Sequence, residues 1–139
     1  MHDELELHKL MARYADAVNR HDADAWISTW AEDGEWHLLG EPVAGRDNVL
    51  ALWRQMMNTF EFALLLPSSC LYQVDGDHAS GHVYLQEFCR DLEGNATAII
   101  SRYRDTCVRR NGKWLYRSRE YDFIYQGPPD LSGAFTRPA

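Results

Sequence analysis

The sequence has little of what several function classes require. It has no basic run: 14 Lys and Arg stand against 21 Asp and Glu, a formal charge of −7. A chain of that sign is a poor partner for nucleic acid or an anionic membrane surface, so neither is expected. No stretch approaches the ~20 apolar residues of a membrane-spanning helix. The opening residues, Met1 to Glu6, are acidic where a secretory leader would be basic, and no leader is predicted. Cysteine is sparse. Cys70, Cys89 and Cys107 form no C-x-x-C, and three cannot all pair within one chain. Free thiols in a reducing cytoplasm are the expectation. There is no phosphate-cradling glycine loop, and Ser68-Ser69-Cys70 is not a nucleophile elbow. His78 and His82 are four apart, but four residues of strand span ~13 Å, too far to share one metal ion. No metal and no organic cofactor is expected.

What is present suits one globular domain. With 139 residues, 45% of them hydrophobic, the chain can bury a core without disulfides. Leu7, Leu10, Met11, Tyr14, Ala15 and Val18 recur at helical spacing within residues 3–20, with Asp3 and Glu6 as a capping box. A short second helix, capped by Asp22 or Asp24, carries Trp26 and Trp30 one turn apart and ends at Asp33-Gly34. Residues 35–39 read as a strand. Gly45 opens a third helix with Val49, Leu52, Trp53, Met56 and Phe60 on one face. Beyond Pro67 the period becomes two. Strands are predicted over residues 71–74, 79–90, 97–109 and 114–125, turned at Asp75-Gly76-Asp77, at 91–95 and at Asn111-Gly112. Helices segregated from a four-stranded antiparallel meander make an α+β domain over residues 1–126, followed by an irregular tail over 127–139. Long curved strands can wrap the helices into a cone whose open mouth is a natural small-molecule pocket.

Five motifs, in order, resemble the SnoaL-like branch of the nuclear-transport-factor-2-like superfamily. They are Tyr14-x-x-Ala17 with Asp22 and Trp26; Trp30-Ala31-Glu32-Asp33-Gly34-Glu35-Trp36; Gly45-Arg46; Val74-Asp75-Gly76-Asp77-x-Ala79-x-Gly81; and Tyr103-x-Asp105 followed by Asn111-Gly112-Lys113-Trp114. Together they cover residues 5–123. The resemblance implies a cystatin-like cone, a homodimer through the outer sheet face, and acid–base chemistry without metal or organic cofactor. The implied substrate is a hydrophobic cyclic molecule such as a steroid, terpenoid or polyketide. Similar enzymes include scytalone dehydratase, bile acid 7α-dehydratase and hexachlorocyclohexane dehydrochlorinase. The superfamily also holds non-catalytic transport factors and partner subunits of ring-hydroxylating dioxygenases. In the dehydratase pattern an Asp lies five residues after a Tyr matched by Tyr14, and that position is Asn19. The accompanying His position falls within Leu64–Pro67, where no His stands. The Asp–His pair is therefore missing.

Other residues can carry the chemistry. Glu87 shares its side of a predicted strand with Val83, Leu85 and Cys89, and a carboxylate on an apolar face is unusual. It also matches the strand position of an active-site Asp in the bile acid dehydratase. It reads as a proton-transfer group, or as the ion-pair partner of Arg102, Arg104, Arg117 or Arg119. Tyr14 would donate a hydrogen bond to a ligand oxygen, or sit in the core. Asn19 would orient that oxygen, or end its helix. Trp36, Leu38, Trp53 and Tyr103 are the expected lining of the pocket. Asp105 reads as the cross-strand partner of an arginine. His37 is a spare acid–base candidate whose parity opposes Trp36. Tyr84 and Phe88, on the face opposite Glu87, are the expected dimer contact. The reading is a lyase or isomerase with Glu87, Tyr14 and Asn19 as its catalytic set. The alternative is a non-catalytic binding or partner subunit on the same cone.

Overall fold

The computed structural model describes residues 2–38 and 40–138. The expected end of the first strand at Leu39 lies outside the described residues. Helix α1 spans His2–Asn19 and α2 spans Ala23–Ile27. Strands β1 (Trp30–His37) and β2 (Val43–Ala44) precede α3 (Arg46–Met57). Four long strands follow: β3 (Phe60–Asp75), β4 (His78–Asp91), β5 (Ala96–Arg110) and β6 (Lys113–Gly127). They form one curved sheet in the order β2-β1-β6-β5-β4-β3, with β1 parallel to β6 and every other pair antiparallel. No described helix is long and apolar enough to cross a membrane.

The apolar stripe of α1 packs inside the sheet, with Leu7, Leu10 and Ala17 at 0–1% exposure. Asp22 caps α2 by accepting from the Ala25 N–H at 3.0 Å. Asp3, expected as part of a capping box, lies inside α1 instead. Its carboxylate accepts from Arg109 at 2.5 Å and from the Trp114 indole at 3.2 Å, tying the helix start to the β5–β6 hairpin.

Two boundaries differ from the sequence reading. Trp30, expected on α2, is the first residue of β1. Its carbonyl accepts from Arg46 Nε at 2.9 Å, and it is fully buried beside Trp26. Strand β3 starts at Phe60, not at Leu71, and runs through Pro67. Residues 61–66 (EFALLL) have no clean period of two, so local pattern hides the strand. β3 is an edge strand, and its register shifts between Pro67 and Ser69. A proline there removes no needed ladder bond.

The tail folds back along β6. Tyr125 Oη donates to the Pro128 carbonyl at 2.7 Å, the Phe135 ring lies 4.6 Å from that of Tyr125, and Thr136 N–H donates to the Ile124 carbonyl at 2.7 Å.

Candidate active site

A cavity of about 220 Å³ opens between α1, α3 and the inner face of the sheet. Helix α1 presents Tyr14 and Val18 to it, and α3 presents Trp53, Met56 and Met57. Trp36 and Leu38 reach it from the end of β1, and Tyr103 from β5, so all four expected lining residues meet there. Trp26 and Trp30 do not line it. They are fully buried in the core, where Trp26 stacks on Trp53 at 4.8 Å.

The carboxyl group of Glu87 faces this cavity. On β4 it stands between Leu65 of β3 and Ile99 of β5. Among the described residues its hydrogen-bond partners are two neutral hydroxyls: Tyr121 Oη donates to Oε2, and Ser101 Oγ donates to the same oxygen at 3.1 Å. The four candidate arginines are engaged with other carboxylates. Arg102 bonds Asp122 at 3.0 Å, Arg104 bonds Asp122 and Glu120, Arg117 bonds Asp33 and Glu35, and Arg119 bonds Asp105. Burial raises the Glu87 pKa above the usual carboxyl value. The two hydroxyl bonds and the more distant Arg119 charge pull it only part of the way back. The ion-pair expectation thus falls to Asp105. It accepts from Nε and Nη2 of Arg119, at 2.7 and 3.0 Å, and from the Tyr72 hydroxyl at 2.5 Å.

Tyr14 and Tyr103 form the second polar element. Their hydroxyl oxygens are 3.5 Å apart, and the Trp36 indole N–H donates to Tyr103 Oη at 2.8 Å. With the Tyr103 oxygen already accepting from Trp36, the two tyrosines have one hydroxyl proton more than their mutual contact uses. That proton is available to an oxygen in the cavity. Burial raises both phenol pKa values, so both are protonated donors at neutral pH; Arg119, whose guanidinium lies 4.5 and 3.9 Å from their ring centres, opposes the rise.

Asn19 is not brought to the cavity rim. Its amide brackets the backbone of Leu65, donating to the carbonyl at 3.0 Å and accepting from the N–H at 2.7 Å. Asn19 thus meets the Leu64–Pro67 stretch, within which the resemblance places the His, as a side-chain clamp on a main chain. Asn19, expected to orient a ligand oxygen, is instead bonded through both ends of its amide to the Leu65 main chain and is not among the residues that line the cavity. His37, on β1, is not among the side chains around the cavity, in keeping with its parity.

Tyr121 was missed because β6 is bulged twice. Cys107 opposes Tyr116 but Thr106 opposes Ser118, and Ser101 opposes Phe123 but Ile100 opposes Tyr125. Each bulge flips the inward parity. An unbroken alternation carried forward from Trp114 and Tyr116 puts Arg119 and Tyr121 on the wrong face. The signal that finds Tyr121 is the local run Glu120-Tyr121-Asp122-Phe123, where odd positions are aromatic and even ones charged.

Cys89 also lines the cavity, with its thiol pKa pushed up to about 11 by burial and the nearby Glu87 charge, so it is no thiolate nucleophile. All three cysteines are free thiols in the structure. Among the described residues no three His, Cys, Asp or Glu side chains converge as a metal site.

The architecture matches solved structures over nearly its whole length. A protein of unknown function from Mycobacterium tuberculosis is 24% identical, with a TM-score of 0.80 over 95% of this chain and 77% of that one. The dehydrochlorinase LinA is 21% identical, with a TM-score of 0.84 over 99% and 95% of the two chains. A candidate scytalone dehydratase from Novosphingobium aromaticivorans is 17% identical, with a TM-score of 0.83 over 98% and 92%. At these identities the likeness establishes the fold alone. No match was found among curated proteins. The SnoaL-like domain profile matches residues 1–120. With that match over most of its length, and with the helix-filled cone that carries it, the chain belongs to the SnoaL-like domain family.

Proposed function

We propose that the protein is a cofactor-independent lyase or isomerase of dehydratase or cyclase type, acting on a hydrophobic cyclic substrate. The observation that carries this reading is Glu87: a carboxyl group in an apolar cavity, held by two hydroxyls, with burial raising its pKa. A carboxyl tuned toward neutrality works in both directions. Its ionised form takes a proton from a carbon beside a ring carbonyl. Its neutral form delivers one to a leaving hydroxyl. Tyr14, with Tyr103 behind it, supplies a hydrogen bond to the oxygen that gathers negative charge. Tyr121 and Ser101 hold the carboxyl in place as positioning residues.

A second reading has its own support. The Asp and His positions of the family pair hold Asn19 and a stretch with Leu65, and Asn19 is tied to backbone. On that ground the alternative is a non-catalytic binding subunit on the same cone.

Turnover separates the two. Ring ketones and hydroxylated terpenoids and phenolics are screened with the native protein, then with Glu87→Gln and Tyr14→Phe. The first reading expects Glu87→Gln to retain ligand binding and to lose ~10²–10⁴-fold in kcat, the usual worth of a general acid or base. Tyr14→Phe should cost less. Wild-type turnover in Glu87→Gln would remove Glu87 from the mechanism. Tight binding without turnover in the native protein would favour the binding subunit.

A further inference from the structure

The same cavity restricts what can enter it, by volume and by charge. An apolar cavity of about 150 Å³ is enough to hold benzene. One of about 220 Å³ therefore takes a ring with a short substituent, or two fused rings. A four-ring skeleton would leave much of its apolar surface outside, whereas small-molecule sites bury most of their ligand. Among the described residues that line the cavity there is no Lys, Arg or His, while Glu87 supplies a carboxyl. The closest guanidinium, Arg119, lies behind the rings of Tyr14 and Tyr103, and its two hydrogen bonds go to Asp105. A ligand carboxylate or phosphate would be desolvated beside the Glu87 carboxyl with no cation to pair with, a costly arrangement. The polar groups that line the cavity, the Tyr14, Tyr103 and Tyr121 hydroxyls, the Gln126 amide and the carboxyl of Glu87, suit a neutral oxygen.

We propose that the substrate is an uncharged, oxygen-bearing molecule of one ring or two fused rings, and that steroids and organic acids are excluded. This rests on the enzymatic reading only for the word substrate. The size and charge selection applies equally to a ligand that is bound and not converted.

The test is equilibrium binding to the whole native protein, followed by tryptophan fluorescence, since Trp36 and Trp53 line the cavity. The probes are 1-tetralone and 2-naphthol as neutral two-ring molecules, 2-naphthoate as the matched anion, and progesterone as the four-ring neutral. The expected result is that both neutral two-ring probes bind, and that 2-naphthoate and progesterone bind ~10-fold or more weakly. Progesterone or 2-naphthoate binding as tightly as 2-naphthol would overturn the proposal, as would failure of both two-ring neutrals to bind. Ala63→Trp, placed in the cavity wall, should abolish the binding while the circular dichroism spectrum is retained. If that variant does not fold, the native ranking decides alone. Turnover is scored separately. Selective binding with no conversion leaves this proposal standing and sinks the enzyme. Conversion of a steroid that depends on Glu87 does the reverse.

Discussion

Arg119 is a full charge at 1% exposure, and its surroundings show why it is tolerated. Burial works against its ionised form, but the bidentate Asp105 carboxylate and the faces of Tyr14, Tyr103 and Tyr116, at 3.9–4.5 Å, hold it protonated. Removing one member of such a pair leaves the other buried and uncompensated, at ~3–5 kcal/mol. Arg119→Met should therefore lower the unfolding free energy by about that much. The double variant Arg119→Met/Asp105→Asn should recover part of it. Denaturant unfolding of the three proteins checks this, and an unchanged midpoint for the single variant would contradict it. The Asp105 partner was legible at residue scale as a cross-strand arginine, but which arginine was not, because a β6 bulge decides it.

At the scale of elements, turn chemistry and strand parity were readable where strands are regular. The hairpins at Gly76 and at Asn111-Gly112 fall where the sequence places them, with positive φ at all three residues. On β4 the single alternating parity holds from Val83 to Cys89, so the inward placement of Glu87 was legible from sequence alone. Tyr121 was not, because β6 changes parity between Tyr116 and Arg119 and again near Ile124. The start of β3 was hidden because Ala and Leu leave the local period ambiguous. Gly81 shows how closely these strands are fitted. It stands opposite Tyr72 on β3 and Asp105 on β5. A Cβ there would sit 2.0 Å from the Leu71 carbonyl oxygen and 2.7 Å from the Tyr72 ring. The bare backbone lets Tyr72 cross over β4 and donate to Asp105. Gly81→Ala should destabilise the fold by about 1–3 kcal/mol, measured as a shift in the urea midpoint. A neutral effect would mean that the crossing is not needed.

At the scale of the molecule, the sheet's outer face carries exposed apolar side chains. Phe62 and Leu66 on β3 and Phe88 on β4 are 51%, 41% and 37% exposed, on the side away from the cavity. Apolar side chains gathered near a sheet edge mark a contact surface. We propose that a second copy covers this face. Sedimentation at micromolar concentration should report about twice 16.1 kDa; a monomer would contradict this, and Leu66→Lys with Phe88→Lys should return the dimer to single chains.

The inner face of the cone encloses the Glu87 carboxyl among apolar side chains and hydroxyls. The titration of that carboxyl is the direct measure. Glu87 is followed by carbon-13 NMR of side-chain-labelled protein across the pH range, with Glu87→Gln to assign the resonance and Tyr121→Phe as a perturbation. Burial raises the carboxyl pKa, and Tyr121 lowers it by donating to the charged form. The midpoint is therefore expected above the ordinary value of ~4.3, and higher still in Tyr121→Phe. The sign of linkage follows. The folded protein holds this proton more tightly than the unfolded chain, so stability falls as pH rises from the ordinary carboxyl value through the raised one, and Glu87→Gln removes that fall. A Glu87 midpoint at or below the ordinary value would contradict the assignment of Glu87 as the proton-transfer group.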